Sequence, residues 1–155
     1  MCKTLQINQA DAQKAFSNTD ANGKKLLIDL FGKSNLSVNI MDRVKTFDDV
    51  LEVNGISKDQ YRAKYADLEE DEFNYWKIKQ ICKALNEDWQ PDWKDENQTK
   101  WIPWFESNKS GFSFHCVYYY SWRCSAGSRL CFRSADLAKY AATQFIDVYK
   151  LFLTA

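Results

Sequence analysis

Residues 112–134 read FSFHCVYYYSWRCSAGSRLCFRS, and the fold class depends on this stretch. Its first eight residues alternate between two faces that are both fairly apolar, which predicts a strand covered on both sides. The β-rich runs WIPWFE (101–106) and SRLCFRS (128–134) flank this strand, and Gly127 marks the turn into the second run. The sequence therefore predicts a small three-stranded antiparallel sheet.

Helical patterns begin near the N-terminus. ADAQKAFSN (10–18) and KKLLIDLFG (24–32) predict two short helices, the second closed by a C-cap glycine. Alternating apolar residues over 36–40 are a weak signal for extended backbone. We expect a single domain over 1–155 in which residues 1–35 form a loosely attached helical segment.

Two capping boxes indicate the next two helices. TFDDVLEVNGIS (46–57) begins with one box and ends on an Asn-Gly pair, and SKDQ (57–60) provides the second box. Two helices joined by such a turn also occur in DNA-binding proteins. A plain helical corner is favoured here, because Asp59 lies among the basic residues of the second helix.

The longest predicted helix spans 69–89, where four acidic residues precede lysines, as the helix dipole favours. Its apolar stripe includes Cys82, which we expect to be a small buried residue and not a nucleophile. A last helix, capped by Ser134, is predicted to lie across the sheet. The expected fold class is α+β, with N-terminal helices, a small three-stranded antiparallel sheet and a C-terminal helix packed on the sheet.

Composition limits the classes of function. The formal net charge is zero, which argues against a protein that coats duplex DNA, although residues 107–155 hold six basic against two acidic residues. No apolar run approaches the roughly 20 residues of a membrane span, and the N-terminal residues do not resemble a secretory signal. The expected location is the cytosol, with no membrane partner.

The chain has five cysteines and one histidine. His115, Cys116, Cys124 and Cys131 lack the close Cys pairs of zinc sites, and adjacent residues on a strand point to opposite faces. We therefore favour free thiols and expect no metal or cofactor. Nucleophilic catalysis by Cys124 with His115 would need a histidine in the middle of a strand, and no Gly-rich phosphate loop is present, so the chain is predicted not to be an enzyme.

Aromatic and arginine side chains of the predicted sheet remain as candidates for function. The candidate ligand- or partner-binding residues are Tyr118, Tyr120, Trp122, Arg123, Arg129 and Arg133. Stacking rings beside arginines would suit a nucleotide or a single-stranded nucleic acid. The same residue types form hot spots of protein interfaces. In a third alternative, helices cover the rings and the arginines pair with the acidic middle of the chain, residues 58–106, which hold 12 acidic against 8 basic residues.

Four stretches carry a family resemblance. They are DRVKTFDDVLEVNGI (42–56), KIKQICKALNEDWQPDW (77–93), TKWIPWFE (99–106) and GSRLCFRSADLAKYAATQFIDVYK (127–150). The most specific phrases are ALNxxWxPxW and GSRLCFxS. In this order the stretches resemble a family of small uncharacterised proteins from phages and prophages of Bacteroidetes bacteria.

The resemblance implies a phage origin and a location in the cytosol of the bacterial host, and it supplies no catalytic residue. We therefore expect a small non-enzymatic phage-encoded binding protein with an accessory or counter-defence role. It would occupy a host protein surface through the aromatic strand face and the loop over 121–128. The alternative is a nucleotide or single-stranded nucleic-acid binder that uses the aromatic and arginine residues.

Overall fold

The computed structural model describes residues 7–36, 39–87, 89–124 and 126–154. The chain divides into two compact units, Met1–Arg43 and Val44–Ala155. The expectation of a single domain with a loosely attached segment over 1–35 stays a prediction. No helix within the described ranges has the length and apolar character needed to cross a membrane.

The first unit is helical where it is described. Its elements are α1 (Gln9–Asn18), α2 (Ala21–Phe31), α3 (Lys33–Leu36) and α4 (Ile40–Arg43). Side-chain caps begin α1 and α2, and Gly32 ends α2 with φ 77°, as predicted. The extended signal over 36–40 is wrong at Leu36 and Ile40, which are both helical, whereas Val38 lies outside the described residues.

The second unit begins with three helices, α5 (Phe47–Val53), α6 (Lys58–Asp67) and α7 (Glu70–Asn86). Both predicted capping boxes are formed, at the starts of α5 and α6. The helix predicted over 69–89 ends earlier, because Glu87 adopts a positive φ of 54° and turns the chain out of the helix. Cys82 is buried on α7, which confirms its predicted packing role.

A β-hairpin follows the polar loop after α7. It consists of β1 (Lys100–Asn108) and β2 (Gly111–Tyr120), which pair antiparallel with an irregularity between Trp104 and Phe105. A two-residue turn joins the strands, and Gly111 adopts φ 112° there, a conformation that glycine accepts without strain.

The predicted third strand is reduced to a single bridge. Phe132 exchanges two backbone hydrogen bonds of 3.0 and 2.7 Å with Trp101. The next residue of β1 on that edge is Pro103, which has no N–H with which to continue a ladder. On the other side, the Asn86 side chain binds the backbone of the two residues that flank Phe132. The prediction of three strands is therefore wrong, and the α+β class is confirmed.

The predicted single C-terminal helix is two helices, α8 (Ala135–Gln144) and α9 (Ile146–Thr154), with a break at Phe145. Ser134 caps α8 as expected, by accepting a hydrogen bond from the Leu137 N–H. Helix α8 contacts both strands, and α9 contacts α7 and β2. The apolar core of this unit contains Val50, Leu51, Phe73, Ile78, Ile81, Cys82, Ala84, Leu85, Leu130, Cys131, Phe132, Leu137, Ala138, Ala141, Ala142, Phe145 and Tyr149.

Candidate functional site

The register of the hairpin decides which aromatic side chains share a face. Trp104 is paired with Cys116, and Tyr118 lies two residues further along β2 on the same face. The Trp104 and Tyr118 rings are therefore diagonal neighbours, with centroids 5.8 Å apart. Tyr120 follows on this face, 6.4 Å from Tyr118. Tyr119 points to the opposite face, where its ring lies 5.4 Å from Trp101. We call Trp104, Tyr118 and Tyr120 the aromatic surface.

Two rings of the aromatic surface are largely open to solvent. Trp104 is 51% exposed and Tyr118 is 56% exposed. On the opposite face Tyr119 is 59% exposed, so the expectation of a strand covered on both sides is wrong. The physical reason is that α8 and α9, which pack against the hairpin, leave Trp104, Tyr118 and Tyr119 uncovered. Large exposed apolar side chains that lie together are typical of interaction sites.

An apolar cavity of about 470 Å³ adjoins the aromatic surface. Trp104 and Tyr120 line it from the hairpin, and Tyr75 of α7 and Phe152 of α9 line it from the helices, with their own centroids 5.6 Å apart. No charged residue is among the lining side chains that the structure describes. The volume lies in the range of roughly 300–1,000 Å³ that is usual for ligand pockets. This cavity can therefore accept an uncharged apolar group.

Tyr149 lines the same cavity and packs on Phe105, with centroids 4.8 Å apart. Its side chain is buried, and its hydroxyl has no hydrogen-bond partner among the described residues. Burial, with a smaller contribution from Cys82, raises the pKa of this phenol well above its ordinary value. Tyr149 therefore stays neutral at any physiological pH.

The three candidate arginines lie in different surroundings. The Arg123 guanidinium sits 4.5 Å from the ring centroid of Trp122, which is itself 62% exposed. Arg133 forms an ion pair of 2.6 Å with Glu87, which belongs to the acidic middle of the chain. Arg129 is exposed. Arg133 thus makes an ion pair of the kind expected in the third alternative, in which the arginines pair with the acidic middle of the chain.

Lys100 was not singled out from the sequence, although it is fully buried. Its Nζ donates hydrogen bonds of 3.0 Å to the backbone carbonyls of Asp95 and Ser121, and it lies 5.4 Å from the Trp93 ring centroid. These contacts join the polar loop before β1 to the end of β2. The sequence held one signal for this burial: alternation along β1 places Lys100 on the same face as Ile102.

Asn86 is a second buried polar residue that the sequence analysis did not single out. The residue is 6% exposed. Its Nδ2 donates a hydrogen bond of 2.8 Å to the Cys131 carbonyl, and its Oδ1 accepts a hydrogen bond of 3.0 Å from the Arg133 N–H. The signal was a polar residue four positions after buried Cys82 on an apolar helix face. Such residues are usually held by buried hydrogen bonds.

The cysteines and the histidine are separated in the fold. His115 Nδ1 lies 2.9 Å from Glu106 Oε1 on an exposed face, and Cys116 points to the other face of β2. Burial raises the pKa of Cys131 to about 11. The described cysteines are free thiols, as predicted, and Cys2 lies outside the described residues. No group of three or more His, Cys, Asp or Glu suited to a metal ion occurs among the described residues.

Comparison of the chain with protein-family models, with curated proteins and with solved structures found no match. The resemblance to small phage proteins stays a prediction.

Proposed function

We propose that this protein is a non-enzymatic binding protein that occupies a surface of another protein through the aromatic surface of its hairpin. The observation that carries the proposal is the pair Trp104 and Tyr118, both more than half exposed and 5.8 Å apart, beside an apolar cavity. Tryptophan and tyrosine are the residues most enriched at the energetic centres of interfaces.

The chemistry of the cavity favours a protein partner over a phosphate-bearing ligand at this place. The described lining residues carry no charge, and Arg133 is engaged by Glu87. A single-stranded nucleic acid would need cations along its backbone beside the stacking rings. An aromatic or aliphatic side chain of a partner needs only an apolar cavity and a rim of rings, and both are present.

The family resemblance adds the source of the partner. A phage-encoded protein that acts in the bacterial cytosol would meet host proteins, and the role would be accessory or counter-defence. Trp122, which belongs to the loop over 121–128 and is 62% exposed, would extend the contact. The partner would bury Trp104 and Tyr118 and place one apolar side chain in the cavity.

The test uses two tyrosines that are adjacent on β2 and face opposite ways. Tyr118→Ala removes a ring of the aromatic surface, and Tyr119→Ala removes an equally exposed ring from the other face. Tagged wild-type and variant proteins would be used as bait in lysate from a Bacteroidetes host, with quantitative mass spectrometry. A true partner should then be purified and its affinity measured with Trp104→Ala and Trp122→Ala as further variants.

We expect a partner that wild type and Tyr119→Ala retain equally and that Tyr118→Ala weakens by about 30-fold, the loss of one interface hot spot. Circular dichroism must show that each variant is folded. If every captured protein is retained equally by Tyr118→Ala and Trp104→Ala, the aromatic surface is not the binding surface and the proposal fails.

A further inference from the structure

A second depression, of about 240 Å³, lies between α7 and the segments around residues 90 and 130. Lys79 and Lys83 line it from α7, Arg129 lines it from the segment before the Trp101–Phe132 bridge, and Trp89 lines it from the loop after α7. No carboxylate is among the lining side chains that the structure describes. We call this depression the basic groove.

The charges of the basic groove are not neutralised within the described part of the chain. Lys83 and Arg129 make no ion pair with any described residue, and Lys79 makes only a contact of 5.8 Å between its Nζ and the Tyr75 ring centroid. Like charges four residues apart, as at 79 and 83, destabilise a helix. The nearby carboxylate of Glu87 is directed to Arg133 instead. Three cations are thus left available to one anion.

The floor of the groove is closed by a buried hydrogen bond. Asn86 and Cys131 line it, and the hydrogen bond of 2.8 Å between them ties α7 to the following chain. Both residues are buried, so the groove is a depression with a packed base and not a gap between loose side chains. Lys83 and Arg129, in contrast, have exposed side chains that can close on a ligand.

We infer that the basic groove binds a phosphate-bearing ligand that carries one flat ring, as a nucleotide does. Lysine and arginine supply the charge-assisted hydrogen bonds that phosphate prefers, and the half-buried Trp89 ring offers a face for stacking. A volume of about 240 Å³ falls below the pockets of roughly 300–1,000 Å³ that enclose larger ligands. The groove would therefore hold part of a single nucleotide and leave the remainder in solvent.

This site is independent of the proposed protein interface, because neither Trp104 nor Tyr118 lines the groove. It also differs from the nucleotide site predicted from the sequence. That prediction combined Arg129 with rings of β2, whereas the structure surrounds Arg129 with two lysines of α7 and with Trp89.

The test is a titration of the full chain with ADP at low ionic strength, followed by two-dimensional NMR of the backbone amides and the tryptophan indoles. The groove variant is Lys83→Gln with Arg129→Gln. The matched control is Lys139→Gln with Lys150→Gln, which removes the same charge from exposed positions on α8 and α9. Adenosine, inorganic pyrophosphate and a short oligothymidylate serve as comparison probes.

We expect saturable ADP shifts that include the Trp89 indole, a Kd raised by about tenfold or more in the groove variant, and little change in the control. Added salt should weaken binding, and adenosine should bind poorly. Pyrophosphate that binds as tightly as ADP would overturn the role of the ring. If the protein binds oligothymidylate but not ADP, and the groove variant loses this binding, the ligand is a nucleic-acid strand. That result would overturn the proposal of a free nucleotide. Absence of saturable binding by every phosphate probe, or equal losses in both variants, would overturn the site.

Discussion

Asn86→Ala should be one of the most destabilising single substitutions in the second unit. The side chain satisfies two backbone groups of the segment that packs beside β1, the Cys131 carbonyl at 2.8 Å and the Arg133 N–H at 3.0 Å. Each bond contributes about 0.5–1.5 kcal/mol net, and each buried group left without a partner costs about 1–3 kcal/mol. Since Asn86 is only 6% exposed, water can replace it only in part, and we expect a loss of about 3 kcal/mol.

The six tryptophans make the measurement specific. All of them lie after residue 43, so tryptophan fluorescence reports the unfolding of the second unit without a contribution from the first. For a urea m-value of about 1.5 kcal/mol/M, the expected loss lowers the midpoint by about 2 M. Asn97→Ala, at an exposed asparagine of the polar loop, is the control and should change stability by less than about 0.5 kcal/mol.

A second substitution at the same position separates the two hydrogen bonds. Asn86→Asp keeps an acceptor for the Arg133 N–H, but its second oxygen can donate to the Cys131 carbonyl only while it is protonated. Burial and the need for a donor to the Cys131 carbonyl raise the pKa of the new carboxyl in the folded state, against the opposite effect of Lys83 and Arg129 in the basic groove. Stability should therefore fall as pH rises above about 4, the ordinary aspartate value. A loss below about 0.5 kcal/mol for Asn86→Ala, or a pH-independent Asn86→Asp, would refute the assigned role of the side chain.

Lys100→Met should lower the free energy of unfolding by about 2 kcal/mol in the same urea titration, because two backbone carbonyls lose their buried charged donor. A change below about 0.5 kcal/mol would mean that water replaces the ammonium group. Tyr149→Phe should be neutral or stabilising by up to about 1 kcal/mol, because it removes a buried hydroxyl without a described partner, and a clear loss of thermal stability would contradict this. Iodoacetamide at pH 8, followed by peptide mass spectrometry, should alkylate Cys124 in the native protein but Cys82 and Cys131 only after unfolding. Burial raises the pKa of both protected thiols, and native alkylation of either would show that the core opens.

The helix starts could be predicted from the sequence because capping is local. The boxes at 46–49 and 57–60 and the cap at Ser134 each join residues three apart, so the pattern itself contains both partners. The end of α7 could not be predicted in this way. Glu87 leaves the helix with a positive φ and forms an ion pair with Arg133, a residue 46 positions away.

The third strand shows why an apolar, β-rich run does not by itself make a strand. The edge of β1 beyond Trp101 presents Pro103, and the opposite edge of the 131–133 segment is bound by Asn86. Pro103 is visible in the sequence, but its consequence depends on which edge of β1 faces the segment. Only the register of the hairpin determines that edge.

Of the candidate residues, Tyr118 lies in the stretch whose alternation was predicted, and the hairpin places Tyr120 on the same face, 6.4 Å away. Alternation cannot tell whether that face is covered. Cover depends on where α8 and α9 pack, which is a contact between residues distant in the chain. The two lysines that line the basic groove with Arg129 were missed for the same reason, because they lie on α7, more than 40 positions away.

By itself, the sequence determined the local features of this protein: the caps that begin α5, α6 and α8, the alternation of β2, the α+β class and the buried Cys82. Each depends on residues a few positions apart, whose geometry the backbone already restricts. The tertiary structure alone decided the two-stranded sheet, the exposure of Trp104 and Tyr118, the buried Lys100 and the basic groove. These features depend on contacts that form only after α7, the hairpin and the C-terminal helices have packed together. Such contacts join residues distant in the chain, and no local sequence pattern specifies them.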